Sequence, residues 1–235
     1  SDLRRDFTFI HPDVLASDKF LVKGNRLQMQ NKVNDQQFRI MLLPGGEVIS
    51  AAALAKFKAF YDAGGTVIAT SLLPSRSAEF GKDAEIRDMV ASIFGTSGPG
   101  SEGQINQNPA GGKAVFIASP SPEALEATLA RLGAAPDVGF LGTAPRASEM
   151  GTFSYTHRQR DGKDIYYFGN SGDTPISTIV SLRGRLSDAA FWDPHTGKTV
   201  PITAARYTSD EAGPRTEFKL DVPALHSLAV VGRMK

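Results

Sequence analysis

The arrangement in this chain that comes nearest to covalent chemistry is a serine at a strand end facing a glycine turn. Pro44-Gly45-Gly46 follows an apolar run, and a Gly-Gly turn at such a place can aim backbone N–H groups at a developing oxyanion. Ser71 closes the next apolar run, Val67-Ile68-Ala69-Thr70. A serine there attacks a carbonyl only if a base takes its proton. No histidine lies near it in the sequence, so we expect a tight turn and a loop serine rather than a nucleophile.

The remaining reactive side chains are scattered. His11, His157, His195 and His226 include no pair at i+2 to i+4, so no local metal clip exists, and a D-x-D-x-D-G calcium loop is absent. His157-Arg158 falls on an expected strand beside a hairpin, where we expect satisfied or surface groups rather than a groove lining. Glu47 stands after a strand, a place where open α/β sheets bind ligands. Glycoside hydrolysis needs two carboxylates, however, and the sequence nominates no partner, so Glu47 reads as an exposed acid before a helix. Neither the glycines at 45–46 nor those at 95, 98, 100 and 103 match a phosphate-binding spacing, which gives no support for FMN or NAD. We assign no catalytic residue, no metal and no cofactor. Trp192-Asp193-Pro194-His195-Thr196-Gly197-Lys198 is the most distinctive string: Asp-Pro opens a turn that Gly197 closes in the left-handed region. Trp192 reads as a packed anchor, with a sugar-stacking platform as the alternative. Tyr155, Tyr166, Tyr167 and Trp192 are the candidate carbohydrate-binding residues.

Two kinds of elements position these groups. Phe38–Leu43 is an apolar run of the kind buried on both faces of a parallel sheet. Ser50 can cap a helix whose Leu54, Phe57, Phe60 and Tyr61 share one face, with Gly64-Gly65 at its end and Thr66–Thr70 as the next strand. Asp83 can cap a second helix bearing Ile86, Met89, Val90 and Ile93, stopped by Gly95. Gly95–Gly112 reads as a surface loop, Ala114–Ala118 as a strand, and Ser121-Pro122-Glu123 as the start of a helix with Leu125, Leu129 and Leu132 on its apolar face. Phe7–Ile10 is a further strand candidate. After Met150 the period becomes two. Phe153, Tyr155 and His157 alternate with polar residues, Asp161-Gly162 makes a hairpin, and Ile176–Leu182, Ala189–Trp192, Thr216–Leu220 and Ser227–Val231 are further strands. Gly133–Met150, rich in Gly and Pro, reads as a linker. The expected fold is α/β, a parallel-sheet domain of amidotransferase-like or flavodoxin-like type over residues 1–145. An antiparallel β-sandwich domain follows over 146–235.

Composition narrows the function classes. The chain has 235 residues, a formal net charge of +1 and no cysteine. Thiolate catalysis and disulfides are excluded, and the charge gives no reason to expect nucleic acid or an anionic membrane as partner. No apolar run approaches the roughly 20 residues that span a bilayer, so no membrane insertion is expected. The chain opens Ser1-Asp2 without an initiator Met or a signal-peptide layout, and we expect a piece of a larger protein.

In class I amidotransferases an L-P-G-G turn serves the oxyanion, the next strand ends in a cysteine, and a later strand carries a His and Glu pair. Here Ser71 replaces the cysteine and the pair has no counterpart. The order of motifs as a whole, L-L-P-G-G, A-G-G-T-V-I-A-T, H-R-x-x-D-G-K-D-I-Y-Y-F-x-N and W-D-P-H-T-G-K, resembles something else. It is similar to the C-terminal part of bacterial α-L-rhamnosidase-type glycoside hydrolases of family 106, also labelled family 2-like. The resemblance implies a polysaccharide-degrading parent, periplasmic or secreted, acting on plant or other complex polysaccharide. Its catalytic carboxylates and calcium sit in a (β/α)₈ barrel preceding this region, and no residue here matches them. The galactosidase families use a similar degenerate domain in oligomer contacts. The expectation is a non-catalytic accessory region whose partners are the parent's catalytic barrel and oligosaccharide. The alternatives are a carbohydrate-binding module on the β-domain aromatics and an independent amidotransferase-like hydrolase.

Overall fold

The computed structural model describes residues 5, 7–31, 33, 36–95, 103–141, 153–210 and 213–235. The chain divides into two compact units, Thr8–Leu132 and a second made of Ser1–Phe7 with Gly133–Lys235.

The first unit opens with α1 (Pro12–Ala16) and a small antiparallel sheet of β1 (Phe20–Lys23), β2 (Arg26–Met29) and β3 (Gln37–Phe38). Phe7–Ile10 is not a strand. The hairpin falls instead at Phe20–Met29, where Gly24, at φ +53°, starts the two-residue turn with Asn25. The run Phe38–Leu43 breaks at Arg39, and β4 (Ile40–Leu43) begins after it. Then come β5 (Val48–Ile49), α2 (Ala51–Asp62), β6 (Thr66–Thr70), β7 (Arg76–Ser77), α3 (Asp83–Phe94), β8 (Ile105–Gln107), β9 (Lys113–Ile117) and α4 (Pro122–Arg131). The central sheet has the order β4-β6-β9-β8, parallel except for β8. β5 and β7 form a separate parallel pair.

Burial follows the period of each element. Leu54, Phe57, Phe60 and Tyr61 of α2 and Ile86, Met89, Val90 and Ile93 of α3 are buried together with Met41, Leu43, Val67, Ala69, Ala114 and Phe116, one face of the sheet. Leu42, pointing the other way, is 46% exposed, because β4 is an edge strand and not a strand covered on both faces. The Ser50 and Ser121 hydroxyls cap α2 and α4 by accepting from the N–H of Ala53 and Ala124. Asp83 does not cap α3: its carboxylate accepts from the Ser77 N–H at 2.9 Å, and Lys82 occupies the cap position. Gly95 ends α3 at φ +75°, as its position suggested. Within Gly95–Gly112, residues 96–102 lie outside the described residues, and β8 occupies part of what reads as loop.

The second unit is two antiparallel sheets on a shared core. One has the order β10 (Val138–Leu141), β13 (Ile176–Arg183), β17 (Gly213–Val222), β16 (Arg206–Asp210). The other runs β11 (Phe153–Arg160), β12 (Lys163–Asn170), β18 (His226–Met234), β14 (Leu186–Trp192), β15 (Thr199–Pro201). Val180, Leu182, Phe218 and Leu220 from the first meet Tyr166, Phe168, Leu186 and Val230 from the second. Asp161 and Gly162 both have positive φ, +53° and +69°, the geometry a two-residue turn between β11 and β12 requires. β10 lies inside the stretch that reads as linker, and residues 142–150 are outside the described residues.

Candidate functional site

The strand-end serine sits where the sequence places it. Ser71 follows β6 with φ +63°, a left-handed conformation that side chains rarely adopt. Its N–H donates to the Ile117 carbonyl at 2.8 Å, tying the turn to β9. Sterics demand a glycine opposite, since a Cβ at Gly45 would lie 2.7 Å from the Ser71 Cβ and 2.9 Å from the Thr70 carbonyl oxygen. The Gly46 N–H points at the Leu72 carbonyl, 3.5 Å away, rather than into an open anion site. Glu47 is exposed and its carboxylate pairs with Arg76 Nε at 3.3 Å. His11, the only histidine in this unit, accepts from the Asp13 N–H at the start of α1. The turn thus has the strain and the close backbone approach of a nucleophile elbow, with no base bonded to Ser71 among the described residues.

The densest polar cluster is elsewhere, around His157 on β11. Its Nδ1 meets Asp137 Oδ2 at 2.5 Å and its Nε2 meets Asp164 Oδ1 at 2.9 Å. A carboxylate only accepts, so both ring nitrogens must donate and the ring is an imidazolium. Burial opposes that charge, but the hydrogen bond and charge of Asp137, then those of Asp164, outweigh it and raise the His157 pKa above its ordinary value. Burial also opposes charge on Asp137, and is overcome by His157 and then Arg183, so its carboxyl is held below the usual range. Arg183 Nη2 donates to Asp137 at 2.8 Å, Gln159 donates to Asp164 Oδ1, and the Met234 N–H donates to Asp164 Oδ2. The Tyr166 ring stacks on the imidazolium with centroids 3.9 Å apart. Tyr166 Oη is buried without a hydrogen-bond partner, and burial followed by the charges of Asp137 and Asp164 pushes its pKa above the ordinary phenol range. A histidine with both nitrogens spent on carboxylates can neither accept a proton nor ligate a metal. This cluster is a clamp: Asp137 and Arg183 belong to one sheet side, His157 and Asp164 to the other. Of its members only His157 stands out in the sequence; Asp137 lies in apparent linker.

The four candidate aromatics separate by strand parity. Tyr166 is 0% exposed, and Tyr155 packs on Phe168 at 6.3 Å between centroids, so both serve the core. Tyr167 and Trp192 face outward, 43% and 44% exposed, and Trp192 is not a buried anchor. Register puts both in one row across the sheet: Thr156, Tyr167, Ala229, Trp192, Thr199. The Asp193–Lys198 turn forms as its residues imply. Asp193 accepts from the N–H of His195 and of Thr196 and from the Thr196 hydroxyl, and Gly197 takes φ +71°. Asp193 Oδ1 also lies 3.3 Å from His226 Nε2, and His195 stacks on His226 at 4.0 Å. Among the described residues no group of three or more His, Asp or Glu side chains is placed to hold a metal ion.

Comparison with known proteins bears on what such a chain is part of. The family model Glyco_hydro_106, alpha-L-rhamnosidase, matches residues 3–208. A solved rhamnosidase from Novosphingobium sp. PP1Y is similar over 96% of this chain at 23% identity, with a TM-score of 0.71. The match spans only 19% of that protein. A beta-galactosidase from Bacillus circulans sp. alkalophilus is similar in fold over 83% of this chain and 33% of its own, at 13% identity and a TM-score of 0.50. No curated protein matches the chain.

Proposed function

The chain belongs to glycoside hydrolase family 106, the alpha-L-rhamnosidase family, and on that premise we propose that it is a non-catalytic accessory region of a multidomain rhamnosidase-like hydrolase. We read the first unit as an amidotransferase-like domain that kept its architecture and lost its reactive groups, and the second as a β-sandwich. Both would support a catalytic barrel elsewhere in the parent. A periplasmic or secreted setting and a plant or other complex polysaccharide substrate go with this reading.

One observation carries it. The turn with the backbone geometry of a nucleophile site holds Ser71, and among the described residues of its unit no side chain is engaged with that serine as a base. Glu47, the acid that follows the Gly45-Gly46 turn, is held by Arg76. The same facts count against an independent amidotransferase-like hydrolase, which would need a base within about 3 Å of the serine oxygen.

The test is hydrolysis of an aryl α-L-rhamnoside by this chain alone. We expect no turnover above the buffer rate. Turnover that a Glu47→Gln substitution abolishes would overturn the proposal.

A further inference from the structure

We propose that the outer face of the five-stranded sheet binds a short oligosaccharide across Tyr167 and Trp192, with Ala229 as the floor between them. This goes beyond the accessory role and takes from the family membership only the choice of sugar.

The register makes the site. Tyr167 pairs with Ala229 and Ala229 pairs with Trp192, so the two aromatic side chains rise from alternate strands on one face, two strand spacings or about 10 Å apart at the backbone. Ala229 between them is small. So are the next pair on one side, Gly169 and Ser227, with His195 seated against Ser227, whereas Ile165 and Val231 wall the other side; the shallow floor is at Ala229. A sugar ring offers a flat C–H face to an aromatic side chain and hydroxyls at its rim. A deoxy-hexose such as rhamnose adds a methyl group to the apolar side.

Neither ring is spent on the core. Phe153, Tyr166, Phe168 and Phe218 of this unit are buried. Tyr207, exposed to a similar degree as the pair, has its ring under Arg185 at 4.5 Å and its hydroxyl bonded to the Leu186 carbonyl. Hydrogen-bonding groups border the pair. The Asp193–Lys198 turn carries His195 to Ser227, Nε2 to Oγ 3.1 Å. The Lys163 ammonium stands over the Trp192 ring at 5.8 Å from its centroid, farther than Arg185 from Tyr207, so a sugar must share or displace it. The turn that bears Trp192 is itself fixed by Asp193 and His226, so the platform is held before any ligand arrives. Thr156, Arg158 and Arg233 give this face a polar border, while Ile165, Val231 and Ala190 form the apolar row beside the pair.

Trp192 is the only tryptophan, so its fluorescence reports on this face alone. The experiment titrates the chain with a rhamnose-terminated disaccharide and follows that emission, with calorimetry as a second readout. We expect a saturable change with a Kd on the order of millimolar, a weak site. By calorimetry, Tyr167→Ala and Trp192→Ala should each weaken binding at least tenfold, whereas Phe80→Ala, an exposed aromatic in the other unit, should not. Thermal melts establish that the variants are folded, and Tyr167→Ala serves alone if Trp192→Ala is not. No saturable change in the parent chain, binding that survives both substitutions, or an emission change produced by protein concentration without sugar would each overturn the proposal. None of these outcomes touches the accessory reading, which fails only on turnover.

Discussion

Tyr166 lies face to face with the imidazolium of His157, the rings 11° from parallel and 3.9 Å between centroids. The phenol face offers negative charge density to a cation that two carboxylates already hold. Charge, hydrogen bonding and ring stacking therefore all favour one protonation state of one side chain.

Replacing that side chain should be costly. His157→Gln leaves Asp137 to Arg183 alone and Asp164 to Gln159 and the Met234 N–H, and we expect a loss of about 2–4 kcal/mol in urea unfolding.

The same cluster sets a pH dependence. The raised His157 pKa gives stability that is full below its unfolded value of about 6.5 and is lost as pH rises through the folded value. The lowered Asp137 pKa gives stability present above about 3.9 and lost as pH falls through its folded value. Melting temperature should peak between those limits, and His157→Gln should flatten the alkaline side of the profile.

Much of this unit is legible in its sequence, and the clamp is not. Alternation at Phe153, Tyr155 and His157 and the Asp161-Gly162 turn define the hairpin and its register. The partners of His157 stand 20 and 7 residues away, and Asp137 sits among glycines and prolines that signal a linker. β10, β15 and β16 escape notice for a related reason: short edge strands need little apolar alternation, since only one side pairs. Trp192 and Tyr167 show the converse. Residue type alone singles out each of them, but only the pairing register brings them into one row.

The strained turn offers a double-mutant test. Gly45→Ala forces a Cβ against Ser71 and should cost about 1–3 kcal/mol by chemical denaturation. Ser71→Gly should lie within about 1 kcal/mol of the parent, because relief at φ +63° offsets glycine's larger unfolded-state entropy. Combined, the pair should recover part of the Gly45→Ala loss, since the nearest clash is with the Ser71 Cβ.

Asn170 is a buried connector. Its amide donates to the Thr174 and Pro223 carbonyls and its oxygen accepts from the Gly172 N–H. Asn170→Ala should destabilise by about 2–4 kcal/mol, because those groups lose their partner away from water, and urea titration measures it.

Glu79 closes the start of α2 from a distance, accepting from the Ala51 N–H at 3.0 Å and from the Ser77 hydroxyl. Those contacts, Ser77 first, hold its carboxyl below the usual range. Glu79→Ala should quicken hydrogen exchange at Ala51 while leaving α3 unchanged, as read by NMR.

The strand order of the larger antiparallel sheet carries a consequence for biosynthesis. β18 follows the other four strands of this sheet in the chain, yet it lies between β12 and β14. Until residue 234 has emerged, the hairpin of β11 with β12 and the hairpin of β14 with β15 are separate ribbons, each with an open edge awaiting the same segment. A chain stalled short of that point exposes two adhesive borders at once, so nascent forms of this protein should depend on chaperones until β18 joins the ribbons.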